Sequence, residues 1–371
     1  EADRYTTDLK PRFVAGSMGP TGLSASLSAD INDPAARSVT FCQMREAFAL
    51  QAGALIDGGV DLLIIETIFD ALNAKAAIAG ARDAMEKRHR DIPLVISMTV
   101  SDRSGRILSG HTPEALLSII GHARPLAVGF NCSAGPATLG RFIRRLAAAS
   151  PYPTIFYPNA GLPDSMGRYA VTPAEFAGEI APLLHEGIIN IAGGCCGTTP
   201  AHIAALDAVI AKDATPRRVP QTKSAWLAGM EEFADDRGFI NIGERCNVAG
   251  SRKFLRLIKE GNYDEAVAIA RSQVADGAMI LDINMDDGLL DAKEDMTRFL
   301  RLLTSTPEVA SVPWMVDSSD FNVVRAALAN ISGRPIVNSI SLKNGEEEFL
   351  AHAREILSFG AAVVVLSLIH I

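Results

Sequence analysis

The scarcities of this sequence are its first guide. No apolar run comes near the ~20 residues that a membrane-spanning helix needs. Stretches such as Ala361–Val365 are short and bounded, so no membrane partner is expected. No block of lysine and arginine interleaved with aromatics occurs, and the formal net charge is -8, which argues against nucleic acid. Cysteine is sparse as well: five residues, an odd number, scattered through the chain with no signal peptide ahead of them. That pattern points to a reducing cytoplasm rather than to a disulfide-bonded exterior. The opening residue is Glu1 rather than methionine. What is present is ample core: 371 residues, 48% hydrophobic and 21% charged, enough for two soluble α/β domains.

Short β-rich runs alternate with helical stretches. Expected strands in the first half are Arg12–Gly16, Leu62–Glu66, Leu94–Val100, Ala127–Asn131, Thr154–Tyr157 and Ile188–Ala192. Helices such as Ser38–Gly58, Ala71–Lys87, Pro113–Ala123 and Ala137–Ala149 separate them. Such alternation predicts right-handed crossovers and a parallel sheet. Polar or reactive residues follow nearly every strand (Glu66-Thr67, Ser101-Asp102, Cys132, Asn159, Cys195-Cys196), which favours a (β/α)8 barrel over an open sheet. About six units are readable where a barrel needs eight, so this barrel is expected to lack its first two. A linker is expected at Pro216–Thr222, in a boundary region 214–234 that ends in a short helix over Ser224–Phe233. A second series follows, with strands at Phe239–Glu244, Met279–Asn284, Pro313–Asp317, Pro335–Ser339 and Ala361–Val365. The expected fold is α/β: two consecutive (β/α)8 TIM-type barrels, both incomplete, over residues 1–213 and 235–365.

Three cysteines lie where barrel chemistry sits. Cys132 ends a strand in Gly129-Phe130-Asn131-Cys132-Ser133, and Cys195-Cys196 follow one in Gly193-Gly194-Cys195-Cys196-Gly197-Thr198-Thr199-Pro200. Three thiolates converging on one point suit Zn2+, and three ligands rather than four leave a position open, as in a catalytic site. The alternative is that they are small buried hydrophobes. The two segments resemble the zinc-binding signature of the homocysteine S-methyltransferases, across about the first 210 residues. The resemblance implies that Cys132, Cys195 and Cys196 hold the metal and that homocysteine sulfur takes the fourth place. The Asp-Gly-Ala-Met-Gly-like motif on the family's first strand has no counterpart here. Glu66 is placed to hold the substrate ammonium, or else to serve as a carboxylate at a helix N-terminus. Asn159 corresponds to a family position near the metal, where it would fill the open place before substrate arrives; a turn asparagine is the other explanation. Gly16, Met18 and Gly19 are expected to offer backbone to the amino-acid end. His202 is expected in the core or on a helix surface, not on the metal.

In the second half, Gly243-Glu244-Arg245-Cys246-Asn247, Asp282-Ile283-Asn284-Met285-Asp286, Asp317-Ser318-Ser319 and Val337-Asn338-Ser339 fall at strand ends. Fixed carboxylates and side-chain amides there suit a ligand edge that presents N–H donors and a carbonyl. Capping of the following helices is the competing explanation for each. These motifs look like the pterin-binding family, which includes dihydropteroate synthase and the methyltetrahydrofolate-binding modules of methyltransferases. The resemblance covers about Phe239–Val365 and implies that Glu244, Asp282, Asn284, Asp317 and Asn338 bind the pterin. Cys246 stands where that family suggests a small hydroxyl residue, and no metal role is assigned to it.

A zinc-thiolate homocysteine module followed by a pterin module resembles the cobalamin-dependent methionine synthases. That implies methyl transfer from 5-methyltetrahydrofolate, through a cobalamin carrier, to zinc-bound homocysteine. Cobalamin would sit in a downstream module, accompanied by a reactivation module, because no Asp-x-His-x-x-Gly run occurs in the sequence. Competing expectations are a stand-alone homocysteine methyltransferase with a non-folate donor and a methyltetrahydrofolate:corrinoid protein methyltransferase. A non-enzymatic chain with structural zinc comes last. Residues 366–371, Leu-Ser-Leu-Ile-His-Ile, are what a sequencing-library transposon adapter encodes when translated. A foreign tail is therefore expected there, the alternative being a native apolar strand end. As an internal fragment with two broken barrels and unpaired strand edges, the chain is expected to be poorly soluble and inactive alone.

Overall fold

The computed structural model describes residues 1–220, 227–233 and 238–366. A four-residue helix α1 (Ala2–Tyr5) leads into β1 (Ala15–Met18), α2 (Phe41–Asp57), β2 (Leu62–Ile68), α3 (Ala71–Arg88), β3 (Leu94–Met98) and α4 (Pro113–Ile120). There follow β4 (Ala127–Cys132), α5 (Pro136–Ala149), β5 (Thr154–Pro158), α6 (Pro173–His185), β6 (Ile191–Ala192) and α7 (Pro200–Asp213). Local chemistry sets several helix starts. Thr40 with Gln43 and Thr172 with Glu175 form capping boxes at α2 and α6, and proline opens α4, α5, α6 and α7.

β1 to β6 form a six-stranded sheet in chain order, every pairing parallel. β3 and β5 are buried along their whole length, as strands covered on both faces are. Two ends differ from expectation. β1 begins at Ala15 rather than Arg12, because the Val14 amide is taken by the Asp61 carboxylate at 2.7 Å. β6 is reduced to Ile191–Ala192, because the Asn190 side chain replaces a ladder bond by accepting the Thr154 amide at 2.9 Å.

The second half carries a short antiparallel pair, β7 (Leu227–Ala228) with β8 (Glu232–Phe233), and then a second parallel series. Its elements are β9 (Ile242–Asn247), α8 (Arg252–Lys259), α9 (Tyr263–Ala275), β10 (Ile280–Asn284), α10 (Ala292–Thr304) and α11 (Pro307–Ala310). They continue through β11 (Trp314–Asp317), α12 (Phe321–Leu328), β12 (Ile336–Ser341), α13 (Glu346–Ser358) and β13 (Ala362–Leu366). β9 to β13 form a five-stranded sheet, again parallel and in chain order. Neighbour order and direction are those of a TIM-type wall, but neither sheet closes on itself among the described residues. Leu366 pairs with Ser341 at the end of β13; the rest of the expected tail, 367–371, lies outside the described residues.

The helix expected over Ser224–Phe233 is replaced, over its described part, by the β7–β8 pair; residues 224–226 lie outside the described residues. The cause is tertiary. The Met230 amide donates to Ala310 O at 2.7 Å, and the Thr112 amide donates to Met230 O at 3.0 Å. A Cβ on Gly229 would lie 2.5 Å from the carbonyl oxygens of Ala310 and Ser311, so glycine permits this close approach. The segment satisfies its backbone across the two halves instead of within a helical turn. Just upstream, Arg217 of the expected linker is buried and donates to the carbonyls of Ala147, Ser150 and Tyr152 at the end of α5.

The halves share one continuous apolar core. The turns preceding β11, β12 and β13, the end of α10 and the β7–β8 pair supply contacts on the second half's side of the seam. Lys75 of α3, 1% exposed, donates to Ile331 O at 2.9 Å and Gly333 O at 3.1 Å. Arg334 donates to Ser118 O at 3.4 Å, and the Phe41 and Phe359 rings meet at 5.1 Å. Burial, helped by the Arg334 charge, brings the Lys75 ammonium down to about 7. The opposite ends of β9–β12, where the acidic motifs lie, are not part of this seam.

Candidate metal centre and ligand cluster

The chain leaves β4 through two consecutive left-handed residues, Cys132 (φ 60) and Ser133 (φ 58). Such conformations cost about 1–3 kcal/mol each and persist only where surrounding structure enforces them. Cys195 and Cys196 follow β6. The Cys195 amide donates to Pro158 O at 2.9 Å, and the Cys196 amide donates to Asn159 Oδ1 at 3.1 Å. The three Sγ atoms all lie within 4.8 Å of one another, with Cys132–Cys196 at 3.9 Å and Cys195–Cys196 at 3.8 Å. Tetrahedral zinc with bonds of about 2.3 Å would set its sulfurs about 3.8 Å apart, so the trio fits that ion. The alternative of buried hydrophobic thiols does not describe them, since Cys196 is exposed and the other two are half-buried.

Burial, followed by repulsion from Cys196 and Cys132, pushes the Cys195 thiol up to about 12. Three thiols this close oppose one another's ionisation, and a divalent cation reverses the balance. His202 is not part of the group: its ring is buried, accepts from the Thr199 amide at 3.1 Å and contacts Val171 O at 3.0 Å, so it caps α7. Tyr169, which sequence inspection missed, packs on Gly197 beside the thiols; desolvation and Cys196 raise its hydroxyl pKa.

Glu66 lies on a register shift of β2 between Ile65 and Ile68 and accepts a 2.5 Å hydrogen bond from Ser17 Oγ. It is not the carboxylate of a helix end, because Asp70 caps α3 by accepting the Leu72 amide. Gly19 (φ 101) closes on this bulge so tightly that a Cβ would sit 3.0 Å from Glu66 O. Met18 is wholly buried, and Gly16 packs under Leu55 and Leu63. Asn159 is 4% exposed and spends its Oδ1 on the Cys196 amide, bracing the cysteine pair. Tyr157, also missed, points a buried hydroxyl toward this region; burial and the nearby Glu66 charge raise its pKa.

In the second sheet the strand ends converge as well. Asn247 Nδ2 donates to Asp282 Oδ2 at 2.9 Å and to Asp317 Oδ2 at 3.2 Å, and Asn284 Nδ2 donates to Asp317 Oδ2 at 3.0 Å. Asp282 is 3% exposed, and among the described residues its Oδ1 has no hydrogen-bond partner. Desolvation, with the Asp317 and Glu244 charges, lifts its pKa to about 6. Asn338 stands in register beside Asp317, and Glu244 is exposed at the rim. None of these five caps a helix: Ser251, Asp291 and Asp320 cap α8, α10 and α12. Asn247, the residue that joins the cluster, was legible only as part of a motif. Cys246 is buried against Gln273, apart from any metal group.

Residues 1–210, more than half of the chain, match the profile of the homocysteine S-methyltransferases. The chain belongs to that family. Residues 243–369 match the pterin binding enzymes. Among solved structures, the metallated homocysteine methyltransferase MmuM from Escherichia coli is 27% identical, with a TM-score of 0.38, over 54% of this chain and 62% of that one. Its apo form is 23% identical, also with a TM-score of 0.38, and an isomerase from Streptomyces coelicolor A3(2) is 11% identical, with a TM-score of 0.31. The chain spans 63% of the apo MmuM chain. No helix among the described residues is long and apolar enough to cross a membrane.

Proposed function

We propose that the protein is a methionine synthase-type methyltransferase. Its first sheet binds homocysteine at zinc, and its second binds 5-methyltetrahydrofolate as the source of the methyl group. The observation that carries this reading is the convergence of Cys132, Cys195 and Cys196, whose sulfurs all lie within 4.8 Å of one another, in a chain that also gathers Asn247, Asp282, Asn284 and Asp317 at parallel strand ends. Bound zinc would supply the charge that keeps homocysteine sulfur a thiolate near neutral pH. Glu66 would hold the substrate ammonium, with Ser17 fixing the carboxylate, and the backbone at Gly19 would border the amino-acid end. The orphaned Asp282 Oδ1 would accept from a pterin N–H, a bond that offsets the cost of its burial. Asn247 and Asn284 would keep Asp317 oriented beside it.

None of the residues that join the halves belongs to either cluster, which supports a methyl carrier that visits both sites. The carrier in this proposal is a cobalamin on a further module, served by a reactivation module. No residue set described above fits a cobalamin. The cytoplasm is the proposed compartment. The reading predicts one zinc per chain, a sulfur-to-metal absorption change when homocysteine is added to cobalt-substituted protein, and saturable binding of 5-methyltetrahydrofolate. Zinc binding without folate binding would favour the stand-alone homocysteine methyltransferase. Folate binding without zinc would favour the corrinoid protein methyltransferase.

A further inference from the structure

Asn131 is wholly buried at the end of β4, and its amide is fully used. Oδ1 accepts from the Thr67 amide at 2.9 Å and from Ser97 Oγ at 2.7 Å. Nδ2 donates to Thr67 Oγ1 at 2.7 Å and reaches Cys195 Sγ at 3.9 Å. The orientation is fixed by chemistry, since a flipped amide would set Nδ2 against the Thr67 N–H, donor against donor. Thr67 is left-handed (φ 57) and forms the bulge with Glu66, where β2 slips register against β3. Its amide points away from the ladder and finds its acceptor in Asn131.

We infer that Asn131 is a positioning residue that couples the two ends of the homocysteine site. In one arm, its Oδ1 and one Nδ2 hydrogen hold the bulge that aims Glu66 at the substrate ammonium; in the other, the second Nδ2 hydrogen faces the Cys195 sulfur. The inference rests on the zinc–homocysteine reading above. An N–H donated to a ligating sulfur fixes its rotamer and disperses its charge, and partners of this kind influence metal affinity strongly. Because a single planar amide serves both arms, it cannot turn to improve one without releasing the other. Metal loading and ammonium recognition are therefore linked through one side chain.

The two arms can be cut separately. Asn131→Asp keeps the oxygen facing Thr67 and Ser97 but replaces the N–H that faces Cys195. It should lower zinc affinity by about 10–100-fold, read by competition with a chromophoric chelator, while zinc-loaded protein keeps its preference for homocysteine over 4-mercaptobutanoate, the same thiol without the ammonium. Asn131→Ala should lose both zinc affinity and that preference. Ser97→Ala removes one anchor and should move both readouts in the same direction by a smaller factor; it decides the matter if the Asn131 variants fail to fold. The inference is overturned if Asn131→Asp binds zinc as tightly as the parent, if Asn131→Ala keeps the preference, or if Ser97→Ala moves neither. A parent protein that binds no zinc would instead sink the functional reading beneath it.

Discussion

The cysteine cluster and the carboxylate–amide cluster occupy equivalent places, the C-terminal ends of parallel strands, yet they are built on opposite plans. The first is held by backbone: two left-handed residues at Cys132 and Ser133, and amides of Cys195 and Cys196 bound to Pro158 and Asn159. Its sulfurs have only weak partners, and burial with the neighbouring cysteines raises the Cys195 thiol pKa. The second is held by its own side chains, with Asn247 and Asn284 knitting Asp282 to Asp317. It leaves a single buried oxygen unpaired. A soft cluster with loosely held sulfurs and a hard cluster with one spare buried acceptor suit different kinds of ligand.

The strongest way to break this comparison is to remove a sulfur. Cys132→Ser should reduce zinc affinity on the order of a thousandfold or more, since each thiolate carries a large share of the binding free energy. The second cluster and 5-methyltetrahydrofolate binding should be unaffected. Chelator competition and ligand titration on the same sample would measure both. Coupled loss of the two would mean that the clusters are not independent.

Asp282→Asn tests the second plan at smaller amplitude. Losing a buried, charged acceptor should weaken pterin binding by about 10–100-fold. It also has a signature in stability. The folded carboxyl titrates at about 6, above its ordinary 3.8, so the folded protein keeps a proton that the unfolded chain sheds. Parental stability should then fall as pH rises from about 4 to about 6, by of the order of 2–3 kcal/mol. The Asn variant should lack that decline. Urea titrations at several pH values would show it, and parallel pH profiles would refute it.

The smallest effect concerns the seam. Lys75 is depressed to about 7, so between there and its ordinary 10.5 the unfolded chain binds the extra proton and stability rises with pH. Lys75→Met should flatten this rise, a difference of about a few degrees in Tm between pH 7 and 9. Melting curves for parent and variant that stay parallel over that range would argue against it.

Most of the architecture was legible because strands and helices of this type announce themselves through runs such as Leu94–Met98 and capped starts such as Thr172–Glu175. The failures were tertiary. Leu227–Phe233 has the look of a helix but takes its hydrogen bonds from Ala310 and Thr112, residues far away in sequence. The cysteines could be singled out because sulfur at a Gly-rich strand end is rare. Asn131, Asn247 and Tyr157 were harder, because an amide or phenol at a strand end gains meaning only from what lies across the sheet. Glu66 and the acids of β9–β12 left capping open until Asp70, Ser251, Asp291 and Asp320 were seen to cap instead.

Arg217 ties the end of the first half to α5, while Lys75, Arg334 and Phe359 join the halves independently of the peptide that runs between them. That connection is mechanically redundant. A gene split between the codons for Pro220 and Leu227 would yield two polypeptides that assemble as a heterodimer along the same surface, and a protease nick there would go unnoticed until the pieces were run under denaturing conditions.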